Sequence, residues 1–165
     1  MRRSFSLLSL LLSLLALTAC LPGKPSENAT LKVMATTSIV ADVVRQIGGD
    51  AVTVTMLLPL GSDPHSFQPA PRDMAAVTEA DVIFANGAGL EEFLQPLIES
   101  AGATARVVEV SDGIPLLEAP TADPSAVDEH NGDPHTWVDP NNVLVWVENI
   151  RIALTELLPE HTDDF

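Results

Sequence analysis

The feature that most constrains this chain is the alternation of two hydrophobic periods along it. Four short runs, "LKVMATT" (31–37), "AVTVTMLL" (51–58), "DVIFAN" (81–86) and "ARVVEV" (105–110), are rich in Val, Ile, Thr and Phe and read as strands. Between them lie segments of helical spacing. "SIVADVVRQIGGD" repeats apolar residues at Ile39, Val40, Val43, Val44 and Ile47, with Ser38 as expected N-cap and Gly48 as stop. "PRDMAAVTEA" (71–80) places Pro71 in a first turn, where a missing N–H breaks no bond. "GLEEFLQPLIESAG" predicts a helix bent at Pro96 and closed by Gly102, and "NNVLVWVENIRIALTELL" (141–158) a long amphipathic one. Such alternation predicts βαβ crossovers, hence an α/β fold with a parallel four-stranded sheet and helices on both faces. Ligands of such sheets gather in loops at the carboxyl ends of the strands.

Two of those loops carry the same tripeptide. "DPH" occurs in "GSDPHSFQPAPRD" and again in "NGDPHTWVDPNN", and together they hold two of the chain's 4 histidines, His65 and His135. The flanking residues differ, so the pair is no duplicated module. A neutral imidazole nitrogen is a good donor for first-row divalent metals. Proline fixes its own φ and pushes the preceding Asp into extended conformations, which stiffens the approach to the His. Asp63 and Asp133 are then close enough to orient an imidazole or to cap a turn. Two rigid loops presenting one His each make half of a four-ligand site. The alternative is that Asp-Pro merely starts two turns.

Composition narrows the partners. A hydrophobic content of 46 % is ample for a core and excludes wholesale disorder. Lys and Arg number 8 against 23 Asp and Glu, a formal net charge of −15 that repels phosphate backbones and excludes nucleic acid as a partner. "NGAGLEEF" (86–93) imitates a GxGxxG phosphate loop, but Glu92 replaces its third Gly, and Glu91 and Glu92 would repel a pyrophosphate, so a tight strand-to-helix turn is expected. Trp137 and Trp146 are expected to pack, with Trp137 at the edge of the site, and His161 to lie on a helix surface. No HExxH, GxSxG or Walker motif is present, and no catalytic residue is assigned.

The first residues form an address. "MRRSFSLLSLLLSLLALTAC" has Arg2 and Arg3, then a short apolar run ending in small residues, the layout of a signal peptide over 1–19. Its end, "LTAC", resembles the bacterial lipobox, which implies lipidation of Cys20, the only cysteine, and a diacylglycerol anchor. An ordinary signal peptide with a leftover thiol and an uncleaved anchor are the alternatives, and the route of export, general or twin-arginine, stays open. Residues 20–30, rich in Pro, Gly and polar side chains, read as a lipidated Cys and flexible tether.

"DPHSFQPAPRD" and "DPHTWVDPNN" together resemble the two histidine motifs of the zinc/manganese-type solute-binding lipoproteins of ABC importers. "MATTSIVADVVRQIGGD" is similar to that family's opening strand and helix, and "ADVIFANGAGLEEFL" to its third strand and following helix. The resemblance implies a two-lobed metal-binding protein of which 31–158 is the N-terminal lobe, with His65 and His135 as two metal ligands. It implies two further ligands on a C-terminal lobe, reached by a connecting helix that residues 159–165 would open. The chain stops there, so that lobe is missing from it, and two histidines plus water are expected to hold zinc only loosely. Some zinc-specific relatives carry a His- and acid-rich capture loop before the second motif. Here Asp128, Glu129 and His130 stand in a short stretch with a single His, so a solvated loop is preferred and metal capture is the alternative.

The expected function is capture of Zn²⁺, with Mn²⁺ as the alternative, outside the cytoplasmic membrane, and delivery by a monomer to an ABC permease. No bond is made or broken. Protons compete for the imidazoles, so affinity is expected to fall with pH. Nitrogen donors favour zinc, and added carboxylates suit manganese. The competing expectations are a zinc-dependent envelope hydrolase, which needs a third ligand and a base, and an adhesive or structural lipoprotein.

Overall fold

The computed structural model of the chain describes residues 30–118 and 132–165. Strands β1 (Leu31–Ala35), β2 (Val52–Met56), β3 (Val82–Ala85) and β4 (Arg106–Glu109) form one parallel sheet in the order β2-β1-β3-β4. Helices α1 (Ser38–Gly48), α2 (Pro71–Glu79) and α3 (Leu94–Ala101) connect them, and α4 (Pro140–Leu157) follows β4.

The burial pattern explains this order. In the central strands Val33, Met34 and Ala35 of β1 and all four residues of β3 are buried, as two covered faces demand. The edge strand β2 alternates instead, exposing Thr53 and Thr55. The side chains of β1 and β3 divide between two cores. Val33, Ala35, Val82 and Phe84 pack with Val40 and Val44 of α1 and with Trp146, Ile150 and Leu154 of α4. Met34, Ile83 and Ala85 pack with Val77 of α2 and with Leu97 and Ile98 of α3. The first crossover leads from β1 to one side and the second returns past it to β3, so right-handed connections place α1 and α2 on opposite faces. The strand order therefore reverses between β1 and β3, and the loops leaving those strands flank the switch point.

Several local expectations change. Thr37, not Ser38, caps α1, its Oγ1 accepting from the Val40 N–H at 3.3 Å. Helix α3 starts only at Leu94, so Glu91 and Glu92 precede it and Pro96 falls in its first turn. Proline there breaks no intrahelical bond, and no bend is required of it. Gly102 closes α3 at φ 62°, the left-handed conformation that glycine adopts without cost. Residues Pro159–His161 form a 3-10 turn after α4. Among the described residues no helix is long and apolar enough to cross a membrane.

Candidate metal centre

The first "DPH" lies in the loop that leaves β2. The loop is anchored at its start by the buried Leu57 and Leu58, whose N–H groups donate to Ala35 and Thr36 carbonyls at 2.9 and 3.0 Å. Its far side is held by Phe67, stacked edge-on against Phe93 with ring centroids 4.9 Å apart. Between them Asp63 closes a turn: its Oδ1 accepts the His65 N–H at 3.0 Å, and its Oδ2 accepts the Ser66 hydroxyl at 2.9 Å. A side-chain oxygen bonding the N–H two residues on is an Asx turn.

The second "DPH" repeats that turn. Asp133 Oδ1 accepts the His135 N–H at 2.9 Å. Here the carboxylate does more, because the same Oδ1 also lies 2.6 Å from the His135 ring Nδ1. An Nδ1–H donated to Asp133 leaves Nε2 of the neutral ring as a lone pair, the form that binds a metal. Among the described residues Asp63 makes no such bond to the His65 ring, so the two aspartates share the turn but only Asp133 sets the tautomer of its ring. Hydrogen bonds from the adjoining histidine backbone, chiefly, hold both carboxyls below the usual aspartate range; Ser66 adds to this at Asp63 and the His135 ring at Asp133.

Behind the second turn lies a buried polar chain. Thr136 Oγ1 and Ser111 Oγ are 2.8 Å apart, and the Trp146 indole N–H donates to Ser111 Oγ at 3.1 Å. All three residues are at most 5 % exposed, so the loop after His135 is tied to the end of β4 and to α4 through the interior. Trp137 covers one side of His135, edge to face with centroids 5.2 Å apart, and rests in turn 6.4 Å from Trp146.

These supports bring the two imidazoles together. His65 Nε2 and His135 Nε2 are 3.3 Å apart, with ring planes inclined at 58°. Two nitrogens bound at zinc distances and at the tetrahedral angle would stand about 3.3–3.4 Å apart. The pair is open to solvent on its outer side, since His65 is exposed and the His135 side chain is 43 % exposed. Among the described residues no group of three or more His, Cys, Asp or Glu is placed to hold a metal ion. The arrangement supplies two nitrogen donors and leaves the remaining coordination positions to other groups.

Of the other residues singled out from the sequence, Cys20, Asp128, Glu129 and His130 lie outside the described residues. Sequence reasoning missed Glu91, Asn86, Ser111 and Thr136. Glu91 was read as a charge that repels a phosphate; instead its carboxylate is buried in the place where such an anion would sit. Its Oε1 accepts from the Thr36 hydroxyl at 2.5 Å and from the Asn86 N–H at 2.9 Å, and its Oε2 from the Gly87 N–H at 3.0 Å. Burial pushes its pKa above the usual glutamate range, helped by nearby Glu109 and opposed by those three donors. The signal in "NGAGLEEF" was therefore the cradle, whose backbone is left-handed at Gly87, Ala88 and Gly89, filled from within the chain.

A fold with its switch point plugged by its own glutamate, and with two histidines converging on its rim, defines a parallel α/β domain with a paired-histidine candidate site. The family model described as "Zinc-uptake complex component A periplasmic" matches residues 33–165, and the chain belongs to that family. The manganese-binding lipoprotein MntA of Halalkalibacterium halodurans is 41 % identical over 139 residues, 84 % of this chain and 43 % of its own length. The manganese ABC transporter substrate-binding lipoprotein PsaA of Streptococcus pneumoniae is 33 % identical over 171 residues, covering 99 % of this chain and 54 % of its own length. A zinc-bound deletion mutant of ZnuA superposes with a TM-score of 0.72 at 30 % identity, over 82 % of this chain and 50 % of that one. The chain thus spans about half the length of the curated relatives it matches.

Proposed function

We propose that this chain captures a divalent transition metal through His65 and His135, as part of the solute-binding component of an ABC importer. The observation that carries the reading is the 3.3 Å approach of the two Nε2 atoms, the edge of a coordination tetrahedron. Asp133 orients the second ring, and Asp63 shapes the first turn without touching its ring. Zinc is the first choice of cargo because both donors are nitrogens, and manganese, named in the relatives MntA and PsaA, is the alternative. Among the described residues no third ligand joins the pair, and two nitrogen donors alone hold the ion loosely.

The metal would be handed to a membrane permease on the outer side of the cytoplasmic membrane, with the protein held there by a diacylglycerol on Cys20 and acting as a monomer. The lipoprotein names of the relatives and the apolar leader ending in "LTAC" support this placement.

The test is a zinc titration of the purified chain against a competing chelator, with His65→Ala and His135→Ala alongside. One weak site per chain, lost in either variant, is the expected result. Zinc binding undiminished in both variants would overturn the reading. Metal-dependent turnover of an ester or peptide panel would replace it with a hydrolase.

A further inference from the structure

We propose that Glu91 and Asn86 are positioning residues for His135, acting together through the Pro134 carbonyl. This rests on the reading of His65 and His135 as the metal pair. Pro134 immediately precedes His135, so its carbonyl belongs to the peptide plane from which that ligand hangs. Two groups hold this carbonyl: the Thr136 N–H at 2.8 Å and the Asn86 Nδ2 at 3.0 Å. The first is local to the loop. The second reaches it from the end of β3 and fixes the loop relative to the sheet.

Asn86 is fully buried, and its Nδ2 also donates to the Gly87 carbonyl at 2.8 Å. Turning the amide over would set its oxygen against two carbonyl oxygens, so the orientation is fixed. Among the described residues its Oδ1 has no hydrogen-bond partner, so the contacts that hold the side chain are those of its donors. The backbone of Asn86 is held in turn by Glu91, whose carboxylate takes the N–H groups of Asn86 and Gly87 and the hydroxyl of Thr36. The carboxylate thus ties the ends of β1 and β3 together at the switch point, and the asparagine passes that fixed position to the second histidine loop. A buried carboxylate with three donors is an expensive device for closing a turn. Its geometry is accounted for by the loop it places.

The inference is tested on the whole chain with Zn²⁺ as the probe. Glu91→Gln keeps the side-chain shape but sets an amide against the Gly87 N–H or the Asn86 N–H, and Asn86→Asp replaces the donor to Pro134 with a negative oxygen. Thr36→Val removes one of the three donors without changing side-chain shape and serves should Glu91→Gln fail to fold. Val77→Ala, in the last turn of α2 and in the core on the other face of the sheet from Trp146, is the control for lost stability alone. Each variant is read by chelator competition, by thermal melting, and by long-range proton–nitrogen spectra of the four histidine rings.

The expected result is a loss of zinc affinity of about 10-fold in Glu91→Gln and Asn86→Asp, the usual effect of removing a ligand's support. The His135 ring resonances should move from the Nδ1–H form toward a mixture of tautomers. Val77→Ala should change neither, even at an equal loss of melting temperature. Affinity within 2-fold of the parent and unmoved His135 resonances in both site variants would overturn the inference. If zinc binding in the parent proves indifferent to His65→Ala and His135→Ala, the metal reading fails, and the ring spectra alone still decide whether Glu91 places His135.

Discussion

Ser111→Ala is the sharpest test of how the second histidine loop is anchored. Among the described residues the hydroxyl of Ser111 joins the Trp146 indole N–H to Thr136, and the three residues are 5 %, 0 % and 5 % exposed. Removing it leaves the indole N–H buried and unpaired, at a cost of about 1–3 kcal/mol, and removes the bond to Thr136, worth about 1 kcal/mol. The sum is roughly 2–4 kcal/mol, which for a domain of this size lowers the melting temperature by about 4 °C per kcal/mol, or roughly 8–16 °C. Trp146→Phe removes the donor instead, so in the double variant no indole N–H is left orphaned. The cycle should therefore show a coupling of about 1 kcal/mol or more, read from urea unfolding followed by circular dichroism. Because Thr136 adjoins His135, zinc affinity measured well below the melting temperature should also fall in Ser111→Ala. Single-variant effects that add to within about 0.5 kcal/mol would refute the reasoning, since the two groups would then not share a buried bond.

Three further outcomes follow from the same geometry. Asp133→Ala should weaken zinc binding by about 10- to 100-fold, and Asp63→Ala by much less, because only Asp133 bonds its histidine ring; equal losses in a chelator competition would remove that distinction. Folding raises the Glu91 pKa, so its contribution to stability is fully present below the ordinary value of about 4.3 and is lost as pH rises through the raised folded value. The stability of the parent minus that of Glu91→Gln should therefore shrink between acid and neutral pH in urea melts, and a difference that grows with pH contradicts the burial argument. Gly87→Ala should destabilise the chain by about 2 kcal/mol or more, because φ is 76° there and a Cβ would stand 2.7 Å from the Glu109 Cβ; a melting temperature unchanged by the substitution would mean that the turn is not held as described.

The elements themselves were legible because their signals are local. Apolar residues recur at helical spacing in α1, and the β-branched runs of β1 and β3 are short and bounded, so one window of sequence suffices to read each. Helix α3 shows where that ends. "GLEEFL" has helical composition, yet Glu91 turns inward because two N–H groups at the end of β3 and the Thr36 hydroxyl after β1 offer its carboxylate three donors. That preference depends on Thr36, 55 positions away, which no local pattern encodes.

By itself the sequence determined the type and order of the elements, the parallel sheet that follows from their alternation, and the repeated Asp-Pro-His turns. Each is an affair of a few adjacent residues whose conformational preferences are intrinsic. Only the tertiary structure decided that the two turns face each other with their Nε2 atoms 3.3 Å apart, and that one aspartate orients its ring while the other does not. It also decided that a buried glutamate occupies the switch point. The facing of the two turns rests on contacts between residues 25 and 70 positions apart, and the seating of Glu91 includes one 55 positions away, all set by the packing of two cores against one sheet. Packing chooses among local alternatives that the sequence pattern leaves equal.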